Sequence, residues 1–503
     1  MENLLRGLEN TFLFVLDQLN IILWEWPCML VCFLAAGLYF SVRTGWFQFR
    51  RIGLWLRKTW GELVRPASEN ENDSENRFGC GRNGQANHRK KSGISQRQSI
   101  CTALAATVGT GNIVGVATAI VAGGPGAVFW MWISAFLGMM TGFAEKVLGI
   151  LYRRRGEDGA YQGGPMMYME DGLHAKWMAV IFAFLCMVAS FGVGNMTQVQ
   201  AMASSMDLAF GVPAWLTGVV TAIIVAVVLV GGIRRIGAFA ERLVPFMVLL
   251  YMGSAIAVLI SQAQEIPAAL GSIVREAFRL RPAVSGVAGY GIAQAMRIGV
   301  ARGTFTHEAG VGSSVFAHSA ADTKEPVQQG MWGIFEVFVD TIVVCTVTAL
   351  VILTTGLAES GTILTPDGMI LGNANIGNAA LDSMALDGIA LDGSALTMRC
   401  FEQFFPWGRQ LIAVCLALFG FGSLIGWSYY GERSAEYLFG KMGVRVYQLV
   451  YVLVVTLGAV ASLQLVWKLA DVCNGLMALP NLAAVFLLRR KVVEALREYE
   501  KRK

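Results

Sequence analysis

Thr107-Val108-Gly109-Thr110-Gly111-Asn112-Ile113 interrupts a long apolar run. A helix crossing a bilayer has no reason to gather Gly, Thr, Gly and Asn at mid-depth unless its backbone opens there. An opened backbone exposes amide donors and carbonyl acceptors that lipid cannot satisfy. It persists only where it faces protein, water or a solute. Broken helices of this kind build the midplane sites of secondary transporters. The competing reading is close packing, because Gly111 and Gly115 also spell G-x-x-x-G, a helix-docking pattern.

The surrounding composition fixes the solvent. The 503 residues are 55% hydrophobic and 15% charged, with a mean hydropathy of +0.54, whereas a soluble chain is nearer a quarter charged. The apolar residues recur in blocks of about 20, the length of a membrane-crossing helix. The chain therefore reads as an all-α polytopic membrane protein. Its nine cysteines include no C-x-x-C pair and its four histidines are not at ligand spacing, so no transition-metal site or disulfide framework is expected. No Gly-Lys-Ser/Thr phosphate loop is present, which leaves ATP drive unsupported. No nucleophile, paired-acid or metal arrangement at helical spacing speaks for an enzyme. Neither a cofactor nor a nucleic-acid partner is expected.

Eleven spans can be placed, at about 22–42, 99–121, 127–151, 178–209, 213–232, 240–262, 286–303, 329–356, 406–430, 446–468 and 471–489. The first is read as a retained span, because it runs straight into a basic segment rather than a cleavage site. Basic residues cluster at Arg50-Arg51, Arg57-Lys58, Arg89-Lys90-Lys91, Arg153-Arg154-Arg155, Arg234-Arg235, Arg302 with Lys324, Arg433 with Lys441, and Arg489-Arg490-Lys491. All fall on one face, which the positive-inside rule makes cytoplasmic. The N-terminus is then outside and the C-terminus inside a cell (inner or plasma) membrane. Arg275, Arg279 and Arg281 depart from the pattern.

The organisation expected is an extra N-terminal helix and amphipathic segment (1–65), a polar cytoplasmic loop (66–98), a five-span unit (99–262), a second five-span unit (286–490) and a tail (491–503). Five spans per unit give the two units opposite orientations, the arithmetic of an inverted repeat. The external segment 357–398 carries Ala-Leu-Asp at 380–382, 385–387 and 390–392, a period too short for a solenoid. The second unit opens with Ser285-Gly286-Val287-Ala288-Gly289-Tyr290-Gly291-Ile292-Ala293-Gln294. A matching break is therefore expected near Gly289–Gln294.

Four stretches stand out: Ala105–Ile120 with Gly123-Gly124-Pro125-Gly126; Gly142-Phe143-Ala144-Glu145 with Gly159–Pro165; Gly299–Gly303 with Glu308-Ala309-Gly310 and Pro326–Gly330; and Gly426–Glu432. On these the chain resembles the alanine or glycine:cation symporter family over about 95–490. The resemblance implies a LeuT-like (amino-acid–polyamine–organocation) 5+5 fold plus one N-terminal helix. It also implies uptake of a small neutral amino acid with a monovalent cation, sodium or a proton. The chain departs from the family at His307, where Asn is usual. It departs again at Gly422-Ser423, where two hydroxyl residues are usual.

The expected site follows. Thr107, Gly109, Thr110, Gly111 and Asn112 offer amides at a half-helix N-terminus, suited to a carboxylate. By resemblance, Ala105, Val108 and Ser423 hold the cation, and Trp427 walls the pocket. Asn195 and Gln198 share a helix face, with Gln198 facing substrate. Among embedded acids, Glu145 is expected to reach Arg153 at the interface. Glu336 and Asp340 are expected to serve a gate or proton relay, or else to pair with Arg297 or Arg302, since an intramembrane acid needs a partner. The reading of Gly422 as a weakened ion site motivates an alternative of the same fold, an uncoupled facilitator or a sensor.

Overall fold

The computed structural model describes residues 13–25, 27–64, 94–156, 161–279, 290–357, 363–364, 370–371 and 393–502. The first span is bent by 41° between Leu13–Trp24 and Cys28–Arg43; its second part is α1 (Pro27–Arg43), followed by α2 (Ile52–Val64). Next come α3 (Gln96–Thr107), α4 (Val114–Gly123), α5 (Gly126–Leu151), α6 (Lys176–Phe210), α7 (Ala214–Leu229), α8 (Gly232–Ser261) and α9 (Ile266–Ala277). The second half comprises α10 (Tyr290–His307), α11 (Val315–Ser319), α12 (Pro326–Thr354) and α13 (Gly393–Glu402). Gly408–Val460 is helical throughout except at Gly440 (φ 66°, ψ −162°), where the chain turns. Its two legs are α14 (408–439) and α15 (441–460), then α16 (Leu463–Leu487) and α17 (Arg489–Lys501).

The second span is broken as its composition predicts. Ser95 starts α3 through a capping box: its Oγ accepts from Gln98 N at 3.1 Å, and Gln98 Oε1 accepts from Ser95 N at 3.3 Å. Such caps satisfy amides that a helix start leaves unpaired. The helix ends at Thr107 and resumes at Val114. The seventh span is also broken, but not where expected. Tyr290–His307 is continuous helix, and Gln294 donates Nε2 to Ala122 O (3.1 Å) in an exposed position. Residues 281–289 lie outside the described residues. The break falls at 308–314, where Glu308, Gly310 and Gly312 take φ of 53°, 95° and 87°. An added Cβ at Gly310 would sit 2.7 Å from Phe33, and one at Gly312 2.8 Å from Asn481. Glycine is required there by both conformation and space.

α10 and α12 pack along α5, while α6 and α7 pack along the helical stretch 408–460, with Gly218 of α7 against Thr456 and Ala459 of α15, so both breaks sit inside the bundle. Arg302 does not belong to the basic face: it lies on α10 before the break, while Lys324 lies after it. It grips Asp471 of α16 through two bonds of 3.1 and 2.9 Å and lies 4.8 Å over the Trp467 ring. Of the other basic clusters, those of Arg50 and Arg153 lie at the end of the bundle that also holds Arg502, and Arg89-Lys90-Lys91 lies outside the described residues. Arg50 pairs with Glu500 at 3.0 Å and Arg502 with Glu325 at 3.2 Å. Arg153 Nη1 donates to the carbonyls of Ser319 and Ala321 at 3.1 and 2.6 Å. Most of 357–398, including the Ala-Leu-Asp repeats, lies outside the described residues. Its end is helix α13, with Gly393 seated against Val114 of α4.

Candidate functional site

At the first break, two carbonyls lose their helical partners. In a continuous helix Ala105 O and Ala106 O would accept from the amides of residues 109 and 110. Here Gly109 N donates to Asn112 Oδ1 (2.9 Å) and Thr110 N to Gln198 Oε1 (3.3 Å). Ser423 Oγ from α14 approaches both freed carbonyls, at 3.3 and 3.1 Å. Three oxygens from two helices therefore converge; Ala105 and Ser423 are among the residues expected at the cation site, and the third oxygen comes from Ala106, which was not, while Val108 N donates to Leu104 O at 2.8 Å. Thr107 Oγ1 bonds back to Ala103 O (3.1 Å) within α3. Gly422 is adjacent, and an added Cβ there would lie 3.2 Å from Ala105 O.

Gln198 is drawn to the break by a local widening of its own helix. Residues 192–196 of α6 form a π-helical turn, a feature common at functional sites. Gln198 Nε2 donates to Val193 O (3.0 Å), and its Oε1 receives Thr110 Oγ1 at 2.9 Å. Asn195 turns elsewhere, donating to Tyr451 O at 2.9 Å. Gly194 makes room for Trp427: a Cβ would fall 2.1 Å from the tryptophan's own Cβ. Gly194→Ala is accordingly expected to push Trp427 into the site, with an overpacking cost of about 1–3 kcal/mol. Thermal unfolding and ligand affinity measured together check this; both should fall.

The second break presents a carboxylate that the sequence reading quoted only as part of a motif. Glu308 is 2% exposed, with a left-handed backbone that a β-carbon disfavours and that marks functional sites. Trp427 Nε1 donates to its Oε1 at 2.8 Å, and Ser313 Oγ donates to its Oε2. The acidic residue between two helix halves was the available signal. Phe305, one turn earlier, packs against Trp467 with ring centroids 5.0 Å apart and planes tilted by 40°, and faces Gly111 at 3.1 Å from a would-be Cβ.

Beneath this break lies a buried ionic network. Glu145 does not reach Arg153. Its Oε1 accepts from Gly310 N (2.9 Å) and Asn481 Nδ2 (2.6 Å), tying the broken backbone to α5 and α16. Glu336 pairs with neither Arg297 nor Arg302: its Oε2 lies 3.2 Å from Lys146 Nζ and 3.2 Å from His318 Nε2. Lys146 Nζ is also 3.7 Å from Glu145 Oε2. Asp340, in a π-helical turn of α12 over 338–345, accepts from Asn112 Nδ2 at 2.6 Å. Asn112 thus joins the first break to α12. Lys146 and Asn481 were not singled out from sequence; a lone lysine beside Glu145 reads as interfacial until its depth is known.

The model of the sodium:alanine symporter family matches residues 9–503. The chain belongs to that family. It is 38% identical over 488 residues to the "Sodium/alanine symporter AgcS" of Methanococcus maripaludis, covering 96% of each chain. It is 36% identical over 488 residues to the "Probable sodium/glutamine symporter GlnT" of Bacillus subtilis, covering 96% of this chain and 90% of the relative. Among solved structures, "MhsT in complex with L-phenylalanine" superposes with a TM-score of 0.55 at 14% identity, over 79% of this chain and 89% of that one. That likeness concerns the fold, a LeuT-like bundle. Membership makes the chain a multi-pass membrane protein and a sodium-coupled amino-acid symporter.

Of the expected site residues, the structure brings Ala105, Thr110, Asn112, Gln198 and Ser423 together around the first break, with Gly109 and Gly111 in its backbone. Trp427 closes the space between α14, α6 and the second break. Glu145 and Glu336 belong to the support of the second break instead.

Proposed function

We propose that the chain takes up a small neutral amino acid, alanine or glycine, together with sodium by alternating access. The observation that carries the reading is the pair of freed carbonyls, Ala105 O and Ala106 O, met by Ser423 Oγ beside a broken helix. The substrate carboxylate lies against the half-helix that begins after Asn112, where the dipole is positive. Its ammonium faces Glu308. Trp427 limits the side chain to about a methyl group. The two halves, 99–262 and 286–490, act as the inverted repeats that rock about the site. The basic clusters of Arg50 and Arg153 share one end with Arg502, which supports a cytoplasmic C-terminus and an external N-terminus.

The energetics suffice. One charge moving inward gains about 2.3 kcal/mol per 100 mV. A tenfold sodium gradient adds about 1.4 kcal/mol, and together they concentrate a neutral solute by roughly several hundredfold. The test is uptake of labelled L-alanine, D-alanine, glycine and glutamine into reconstituted vesicles under sodium, potassium or proton gradients. Uptake that ignores sodium would refute coupling and favour the facilitator reading, for which the single hydroxyl at Gly422-Ser423 is the motive. Ser423→Ala is expected to raise the sodium concentration for half-maximal uptake about tenfold, equivalent to about 1.4 kcal/mol. The alanine KM at saturating sodium should stay nearly constant.

A further inference from the structure

We propose that Asp340 carries a proton in this arrangement and that the transport cycle moves that proton with the amino acid, at a site separate from the cation held at Ser423. The proposal rests on the symport reading above.

The interior charge balance comes first. Glu145, Glu308, Glu336 and Asp340 are at most 2% exposed, and the ammonium buried with them is Lys146. Lys146 is already engaged by Glu336 and Glu145. Glu308 faces the place of the substrate ammonium. Among the described residues, no lysine or arginine pairs with Asp340. An ionised carboxylate without a positive partner is costly at this depth, and protonation removes the charge.

The local geometry favours a proton over a metal cation. Asn112 Oδ1 is committed to Gly109 N (2.9 Å), so its amide hydrogens point at Asp340 Oδ1 (2.6 Å), Asp340 O (3.2 Å) and Cys345 Sγ (3.3 Å). Three acceptors on one side and a donor on the other fix that orientation. A sodium ion beside Oδ1 would meet those hydrogens instead of an oxygen. Oδ2 faces Thr341 Oγ1 at 2.8 Å, and that hydroxyl has Thr306 Oγ1 at 3.4 Å. A proton on Oδ2 needs one acceptor, which Thr341 supplies by turning its own hydrogen toward Thr306.

The titratable groups around Asp340 are Glu336 and Cys345 on α12, Glu308 and His307 at the end of α10, and Lys146 with Glu145 on α5. The first break contributes Asn112 and no charge. Because Asn112 holds Gly109 with one end and Asp340 with the other, the charge on Asp340 acts on the backbone that grips the substrate. The step involves only a proton. An O–H bond forms at Oδ2 with a proton from water on the entry side, and the same bond breaks to water on the exit side.

The test uses the full chain in vesicles loaded with a pH-sensitive dye, with sodium equal on both sides and the potential clamped by potassium and valinomycin. Added L-alanine should acidify the lumen in step with its uptake. In Asp340→Asn, which mimics the protonated acid, alanine exchange should persist while acidification falls to that of empty vesicles. Uptake without acidification in the wild type, or unchanged acidification in Asp340→Asn, overturns the proposal. Infrared difference spectra decide it independently of transport. The wild type at neutral pH should show a carboxylic-acid carbonyl band that is lost in Asp340→Asn and shifted in Thr341→Val, the second variant should the first not fold. No such band in the wild type refutes the proposal. Absence of any amino-acid uptake in a protein that retains the band instead refutes the symport reading.

Discussion

Lys146→Met is expected to destabilise the protein by about 3–5 kcal/mol, the cost of removing one partner from a fully buried ion pair. Lys146 is 0% exposed, and its Nζ lies between Glu336 Oε2 at 3.2 Å and Glu145 Oε2 at 3.7 Å. Methionine keeps most of the volume and removes the charge. Two carboxylates are then left without their ammonium, and Glu145 is also the acceptor for Gly310 N. The loss therefore reaches the second break: the loop 308–314 should loosen, and uptake should fall with stability. The double variant Lys146→Met with Glu336→Gln should regain part of the loss, because the uncompensated charge is reduced. Unfolding free energies of the two single variants and the double variant in detergent give the coupling directly. A single variant within experimental error of the wild type would mean that the network does not hold the break.

How far the sequence speaks depends on whether a feature is local. The first break was legible because Gly109-Thr110-Gly111-Asn112 conflicts with its apolar surroundings over one turn. The second was misplaced. Glycines at 286, 289 and 291 drew the reading to the start of the span; the first two lie outside the described residues, and Gly291 sits within continuous helix, which tolerates a glycine without breaking. What opens the backbone at 308–314 is a left-handed residue followed by Gly310 and Gly312 at positive φ, packed against Phe33 and Asn481, neighbours far away in the chain. The partners of the embedded acids were illegible for the same reason. Periodicity gives depth along a helix, and so Arg153 and Arg302 looked near enough. Only the tertiary arrangement puts Asn481 against Glu145 across 336 positions and sends Arg302 to Asp471. The turn at Gly440 was implied by the change from one span to the next, but its place was not.

Glu308→Gln is expected to weaken capture of the zwitterion by about 2–5 kcal/mol, the range for truncating a buried charged contact, or roughly thirtyfold to several-thousandfold in uptake efficiency. The substitution isolates charge from structure. A glutamine oxygen still accepts from Trp427 Nε1, and its amide still reaches Ser313, so both existing bonds of Glu308 survive in altered form. Folding and thermal stability should change little, since an uncompensated carboxylate is itself a burden. If Glu308 only positions Trp427, the variant should transport nearly as the wild type does. If it receives the ammonium, the loss should appear mainly in KM, and preference for alanine over its deaminated analogue lactate should shrink. That last comparison is the most discriminating, because a purely structural glutamate gives no reason for selectivity at the amino group to change. Direct binding of both compounds to the purified variant measures it, and selectivity equal to the wild type's would remove Glu308 from the substrate site.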